Sequence, residues 1–338
     1  MLKFKNACYL PSGRIFLYET EDGYLIECTE MRDVLIQGKE NYEVRNSNNP
    51  QVIWKHLDNY EHKWLLTVST QKGCTYNCEF CDVANLPFKG NLSQQEIEDQ
   101  VRLLLKNTPY VQRTNKAKIG FARMGEPAHN LDAVLGAMKN LNNISEELKR
   151  DIKWLPCFNS ILPRKINLVG NNSWLNSGIE TINKVLDIKE NYFDGFLHFQ
   201  ISCNSTDESV RKKLFGGADV LHLEEVIKHV NWWADKYGIT NRTVTLNFIV
   251  MEDVEVDVNK LKSYGLNGDR FTVKLIPLNN TQNSKENELK TLANYENYEK
   301  LVDLGNRFNS IGVPTVVDAI AKCEEAGLCC GQLAQIFQ

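Results

Sequence analysis

The run "STQKGCTYNCEFCDVA" at 69–84 carries Cys74, Cys78 and Cys81 at the spacing C-x3-C-x2-C. It directly follows "KWLLTVS" at 63–69, a short apolar, β-branched run of the kind buried in a parallel sheet. A structural zinc site normally closes with four ligands, and this loop holds no fourth Cys or His. Three thiolates on one short loop suit a [4Fe–4S] cube that leaves one iron without a protein ligand, open to a chelating small molecule.

Downstream, the chain repeats strand, loop and helix. After "KWLLTVS" the strand candidates are "AKIGFARM" (117–124), "WLPCFNSI" (154–161), "FLHFQIS" (196–202), "VTLNFIVM" (244–251), "FTVKLIPLN" (271–279) and "PTVVDAI" (314–320). Each reads as a short run buried on both faces. Between them, Ile97, Val101, Leu104 and Leu105 recur at helical spacing behind a capping box of Ser93 and Glu96. A second stripe, Leu223, Val226, Ile227, Val230, Ala234 and Tyr237, closes at Gly238, and a third, Tyr298, Leu301, Val302 and Phe308, ends at Gly312. Repeated strand and helix units predict an α/β fold with a parallel sheet, open or curled into a full or partial (β/α) barrel. Functional residues then belong just past the C-terminal ends of the strands.

Upstream, residues 1–62 differ in character. "GRIFLYETEDGYLIECTEM" (13–31) gives two strand-like runs about Asp22-Gly23, a hairpin turn signal, and "QGKENYEVRNSNNPQ" (37–51) is polar and turn-rich. The expected organisation is a small β-hairpin extension with a loop over 1–62, then the barrel and a Cys-bearing tail over 63–338.

Composition bounds the function. The 338 residues are 42% hydrophobic and 24% charged, the values of an ordinary soluble globular protein. No apolar run is long enough for a membrane span, and the first residues read as no secretory signal, so a reducing cytoplasm is the expected compartment. There the ten cysteines are metal ligands, reactive thiols or core residues before they are disulfides. Cys8, Cys28, Cys157 and Cys203 are scattered and read as core packing. Cys323, Cys329 and Cys330 cluster near the end. A net charge of −4 argues against gripping bulk duplex nucleic acid through many phosphates, and the basic run "VRKKLFGG" (210–217) reads as a solvated loop.

Other strand ends carry polar residues where a barrel places its ligand contacts. "GFARMGEPAHN" (120–130) ends one strand with Gly125, Glu126 and Pro127, a turn whose carboxylate can accept from an ammonium group. "FQISCNSTDESVR" (199–211) and "VKLIPLNN" (273–280) place Ser202, Asn204 and Asn279 on the same rim. Each alone also reads as a cap or turn residue.

The Cys spacing, with Phe80 just before the third Cys, resembles the radical S-adenosylmethionine (SAM) superfamily. That resemblance implies the [4Fe–4S] cluster on Cys74, Cys78 and Cys81, with SAM bound to the open iron and cleaved by one electron from the cluster to a 5′-deoxyadenosyl radical. It also implies the SAM contacts Gly125, Glu126, Pro127, Ser202, Asn204 and Asn279, with Asn159 of "LPCFNSILP" as a substitute at the third strand end. Within the superfamily, "VSTQKGCTYNCEFC", "MGEPAHN", "ISCNSTDESVR", "LIPLN" and the tail "CCGQLA" (329–334) resemble the RlmN/Cfr class of RNA adenine methylating enzymes.

That class implies that Cys330 takes a methyl group from one SAM as a thiolate nucleophile. A radical from a second SAM activates the methyl, which adds to an adenine carbon. It further implies a substrate-contacting Glu27 in "LIECT", an external one-electron donor of flavodoxin or ferredoxin type, and a nucleobase substrate in RNA, DNA or a nucleotide. The thiol that resolves the family's covalent adduct lies seven residues before the first cluster ligand. Here that residue is Thr67, whose hydroxyl is too weak an acid to replace it, so either Cys329, Cys203 or Cys157 resolves the adduct or the reaction ends differently. Asn204 stands where the family has His, and the family's helical N-terminal RNA-binding module has no counterpart. Two other readings stay open: radical modification of a peptide or small metabolite without methyl transfer, and a non-catalytic metal-binding module.

Overall fold

The computed structural model describes residues 2–10, 13–32, 34–36, 54–56, 63–166, 176–293, 299–317 and 329–337. The polar stretch at 37–51, Tyr298, Cys323 and the end of the last strand run at 318–320 lie outside them.

A ten-stranded sheet organises the molecule, its strands lying side by side in chain order. They are β1 (Lys3–Leu10), β2 (Gly13–Glu19), β3 (Leu25–Arg32), β4 (Trp64–Thr67), β5 (Arg113–Gly120), β6 (Asp151–Ser160), β7 (His198–Ser202), β8 (Val244–Val250), β9 (Phe271–Pro277) and β10 (Thr315–Val317). β1 to β4 pair antiparallel, and β4 to β10 pair parallel throughout. All seven strands expected after Lys63 are present. Adding each parallel strand on the same side, with a helix in the crossover, is what curls a sheet toward a barrel. Among the described residues β1 and β10 are the open edges.

The helices are α1 (Gln94–Asn107), α2 (Leu131–Lys139), α3 (Leu141–Glu147), α4 (Gly178–Asn191), α5 (Glu208–Leu214), α6 (Leu223–Tyr237), α7 (Val258–Ser263), α8 (Gln282–Glu286), α9 (Glu299–Ser310) and α10 (Gln332–Phe337). Ser93 and Glu96 form the expected capping box of α1, and Gly238 caps α6. No described helix is long and apolar enough to cross a membrane.

The strands are not buried alike on both faces. Trp64, Leu66, Ile119, Phe158, Phe199, Phe248 and Leu275 are buried, and α9 sets Phe308 against Phe248 with ring centroids 6.3 Å apart. The other face carries Thr67, Lys118, His198, Ser202, Thr272 and Lys274, all half-buried. A curled sheet has an interior, and a ligand-binding interior is polar.

At the N-terminus the turn closes as expected, with the Thr20 N–H donating to Tyr24 O (2.9 Å) and the Gly23 N–H to Thr20 O (3.0 Å). β1 adds a third strand that alternation had not marked, and β3 joins the whole meander to β4. The "VRKKLFGG" run is helical as far as Leu214 and ends in a turn rather than forming a solvated loop throughout: Arg211 on α5 is fully buried and donates to Cys203 O (3.2 Å), Ser202 O (3.4 Å) and Leu221 O. Lys212, Lys213, Gly216 and Gly217 are exposed. Cys28, Cys157 and Cys203 are buried, and Cys8 is half-buried.

Ser93→Ala removes the cap acceptor of α1, so urea denaturation is expected to give a loss of about 1 kcal/mol, with the circular dichroism of the native state unchanged.

Candidate active site

The three-cysteine loop starts where β4 ends. Val68 and Thr70 N–H groups donate to Gly120 O (2.9 Å) and Met124 O (2.8 Å), which ties the loop's base to the end of β5. Cys74, Cys78 and Cys81 follow, each half-buried and unoxidised. Burial pushes the Cys74 thiol up to about 12 and Cys78 well above the usual thiol range. The same burial raises Cys81, and the neighbouring sulfurs of Cys330 and Cys74 raise it further. Thiols this crowded ionise readily only beside a strong positive charge, as in a metal cluster.

Among the described residues no three His, Cys, Asp or Glu side chains are arranged to hold a single metal ion. Three thiolates on one loop are the donor set that a [4Fe–4S] cube takes from a protein, one to each of three irons. The donor set fits a [4Fe–4S] cluster.

Glu126 occupies the next strand end. Gly125, at φ +100°, turns the chain where an added Cβ would lie 2.6 Å from the Gln71 side chain, so only glycine lets the two loops touch. Glu126 is buried and accepts from Ser160 Oγ (2.5 Å), the Ala128 N–H (3.1 Å) and the Ile161 N–H (3.2 Å). Burial raises its carboxyl to about 7 against those hydrogen bonds. Pro127 opens the short helical turn Pro127–Asn130, and His129 in that turn meets the Tyr76 hydroxyl of the Cys loop at 2.7 Å.

Farther along the rim, Ser202 Oγ donates to Asn159 Oδ1 at 3.3 Å across β6 and β7. Asn204 has φ +62° and accepts from the Ile249 N–H (3.1 Å), while its Nδ2 is buried without a partner. Asn247 Oδ1 on β8 is likewise buried and unpartnered. Such orphaned amide groups at strand ends are the mark of a site awaiting a polar ligand. Asn279 contributes its backbone, its carbonyl accepting from the Thr281 N–H (2.9 Å) and Ser284 Oγ (3.1 Å) at the start of α8.

The tail closes the arrangement. Glu27 on β3 has no exposed surface. Its Oε2 accepts from Arg123 Nε (2.7 Å) and the Gly331 N–H (3.0 Å), and its Oε1 from the Ala334 N–H (2.8 Å). Arg123 also donates to Cys330 Sγ (3.5 Å) and Cys329 O (3.2 Å). Glu27 therefore holds the tail. Gly331, at φ +86°, presses on Val83, where an added Cβ would lie 3.0 Å from the Val83 backbone nitrogen.

Cys329 and Cys330 lie at a turn rather than on an extended segment: Cys329 is buried, with its N–H on Gln332 Oε1 (2.7 Å), and Cys330 is half-buried beside Arg123. Of the other thiols considered for adduct resolution, Cys203 is fully buried and pushed up to about 12, and Cys157 accepts from Gln200 Nε2 at 2.6 Å. Thr67 stands hydroxyl to hydroxyl with Thr29, 2.6 Å apart.

Two site residues escaped the sequence reading. Arg123 lay inside the quoted run "GFARMGEPAHN", where one cation at an apolar strand end was the available signal. Asp82, next to Cys81, is buried and accepts from the Gln282 N–H (3.1 Å), the Asn283 N–H (2.9 Å) and the tail's Gln332 side chain. It joins the Cys loop, α8 and the tail.

No family model matches the chain. Over 273 residues it is 26% identical to the dual-specificity RNA methyltransferase RlmN of Sulfurovum sp., a match covering 80% of this chain and 65% of the relative. The chain is similar in sequence to proteins named RlmN. It is 29% identical over 275 residues to the RlmN of Campylobacter hominis, with the same coverage, and 27% over 307 residues to the probable RlmN of Corynebacterium efficiens, covering 86% of this chain and 74% of that one. The chain thus spans 65–74% of the length of these RlmN relatives. The crystal structure of a radical SAM methyltransferase from Sphaerobacter thermophilus has the same fold, with a TM-score of 0.65 at 18% identity, covering 98% of this chain and 80% of that one.

Gly331→Ala is expected to undock the tail, read as faster iodoacetamide labelling of Cys330 with little change in labelling of Cys203. Glu126 binds its proton more tightly folded than unfolded, because burial raises its carboxyl from 4.5 to about 7. Its contribution is complete below the unfolded value and is lost as pH rises toward 7, by at most about 1.4 kcal/mol per pH unit. In urea denaturation of the cluster-free protein, Glu126→Gln is expected to flatten the decline of stability over that window.

Proposed function

We propose that this protein is a radical SAM enzyme that carries a methyl group on Cys330 and places it on a carbon of a nucleobase. The observation that carries this reading is the placement of Cys330: the Glu27–Arg123 clasp and Gly331 seat that sulfur against the loop of Cys74, Cys78 and Cys81. The names of the RlmN relatives, RNA methyltransferases, support a nucleic-acid substrate.

Cys74, Cys78 and Cys81 would hold the cluster, and Gly125, Glu126, Pro127, Asn159, Ser202, Asn204 and Asn279 are the proposed SAM contacts. When bound, cluster and SAM together supply the electron, the methyl group and the hydrogen-abstracting radical. An external electron donor of flavodoxin or ferredoxin type would feed the cluster.

The chain's own contribution is positional. Arg123 donates to the Cys330 sulfur and so fixes where that sulfur sits. Glu126, near neutrality in its pocket, becomes a full carboxylate when an ammonium group docks beside it. Glu27, buried under the tail, becomes available to a substrate only when the tail swings out with its methylated sulfur.

Peptide mass spectrometry of protein isolated from cells is expected to find one added methyl group on Cys330. Cys330→Ala should retain reductive SAM cleavage but methylate nothing. An unmodified Cys330 in cluster-loaded, SAM-exposed protein, or methylation by Cys330→Ala, would sink the proposal.

A further inference from the structure

A closed circuit of hydrogen bonds runs between the Cys loop and the Glu126 turn. Gln71, with no exposed surface, donates through Nε2 to Thr75 Oγ1 (3.1 Å) and Asn91 Oδ1 (2.6 Å), and its Oε1 accepts from the Glu126 N–H (2.9 Å). Asn91 Nδ2 donates to His129 O (2.7 Å), and the His129 N–H donates to Glu126 O (3.0 Å). Tyr76 closes the circuit: its hydroxyl lies 2.7 Å from His129 Nε2, with the ring centroids 5.2 Å apart.

Each end of that last contact is tied to a group of the candidate site. Tyr76 stands between Cys74 and Cys78, and its N–H donates to Cys74 Sγ at 3.5 Å. His129 is buried in the short helical turn that Glu126 caps, and the Glu126 carboxylate is fixed on its other side by Ser160 Oγ and the Ile161 N–H. The hydrogen bond between the two rings therefore spans the gap between the thiols and the carboxylate.

An amino-acid head group that chelates the open iron and meets Glu126 with its ammonium is held at two points. Such a grip depends on the distance between the points, and a misplacement of about 1 Å can cost roughly 100-fold in rate. A phenol–imidazole hydrogen bond is short and directional, so it fixes that distance where an apolar contact of the same shape would leave play. We infer that Tyr76 and His129 are positioning residues, a strut that sets the span between Cys74 and Cys78 on one side and the Glu126 carboxylate on the other, and with it the fit of the SAM head group. Tyr76 acts through the Cys loop and His129 through the turn. The assignment rests on the proposed radical SAM reading and concerns the binding of SAM, not the methylation of Cys330.

The test uses three variants of the full chain, each reconstituted with iron and sulfide. Tyr76→Phe removes the hydroxyl and keeps the ring, His129→Leu removes its partner, and His129→Gln keeps a polar group for the hydroxyl to meet. All three are expected to take up iron and sulfide as the wild type does. In Tyr76→Phe and His129→Leu, the SAM concentration that half-completes the change in the electron paramagnetic resonance spectrum of the reduced cluster should rise about tenfold. The KM for SAM in reductive cleavage should rise with it while kcat falls less, and His129→Gln should lie nearer the wild type than His129→Leu does.

An unchanged SAM dependence in Tyr76→Phe and His129→Leu overturns the strut. Loss of the cluster in Tyr76→Phe also overturns it, since the contact would then only hold the loop folded, and so does a His129→Gln variant no better than His129→Leu. A wild type that cleaves SAM and leaves Cys330 unmethylated removes the methyl-carrier reading and leaves the strut standing, whereas a wild type that takes up no cluster removes both.

Discussion

A carboxylate with no exposed surface can persist only when its charge is met and its lone pairs are filled. Glu27 satisfies both conditions with groups from two distant parts of the chain: Arg123 from the end of β5, and the Gly331 and Ala334 amides from the tail. Removing one partner of such a buried pair typically costs roughly 3–5 kcal/mol, because the other is left charged and dry. The antiparallel meander, the parallel sheet and the tail are therefore coupled through one side chain. The position of Cys330 depends on that coupling, since the same guanidinium that neutralises Glu27 donates to the Cys330 sulfur.

Asp82 plays a parallel part on the other side of the Cys loop. Its two oxygens accept the first amides of α8 and the Gln332 side chain, and Asn283 returns a hydrogen bond to Cys81 O at 2.8 Å. Thr281 Oγ1 adds one to Phe80 O at 3.0 Å. The loop bearing the three thiols is thus fastened at its base to β5 and at its far end to the segment after β9.

The sheet divides the chemistry between its faces. Helices cover one face with aromatic and aliphatic contacts, which supply cohesion. The other face, lined by hydroxyls, amides and cations, is where a polar ligand can be held, and it leads to the strand ends that carry the candidate site.

The linear order of residues already settled much of this. The C-x3-C-x2-C loop behind an apolar run, the seven strand runs after Lys63 and the Ser93 capping box depend on spacings of a few residues, and local periodicity is legible without a fold. Glu126, Ser202, Asn204 and Asn279 were legible as strand-end residues because a parallel α/β sheet collects such positions on one rim, whereas Asn159 came only from the family resemblance. The helical, buried state of Arg211 was not, since a basic run looks solvated until carbonyls from Ser202, Cys203 and Leu221 arrive to receive it. Arg123 and Asp82 were missed for the same reason: their partners lie roughly 96 to 250 positions away in the chain. The sequence by itself determined which side chains stand on which loops. Only the tertiary structure decided that Glu27 clasps the tail, that Cys330 rather than Cys329 sits beside Arg123, and that the lysines of β5 and β9 share an interior. Burial, charge pairing and register are properties of residues brought together, not of residues in a row.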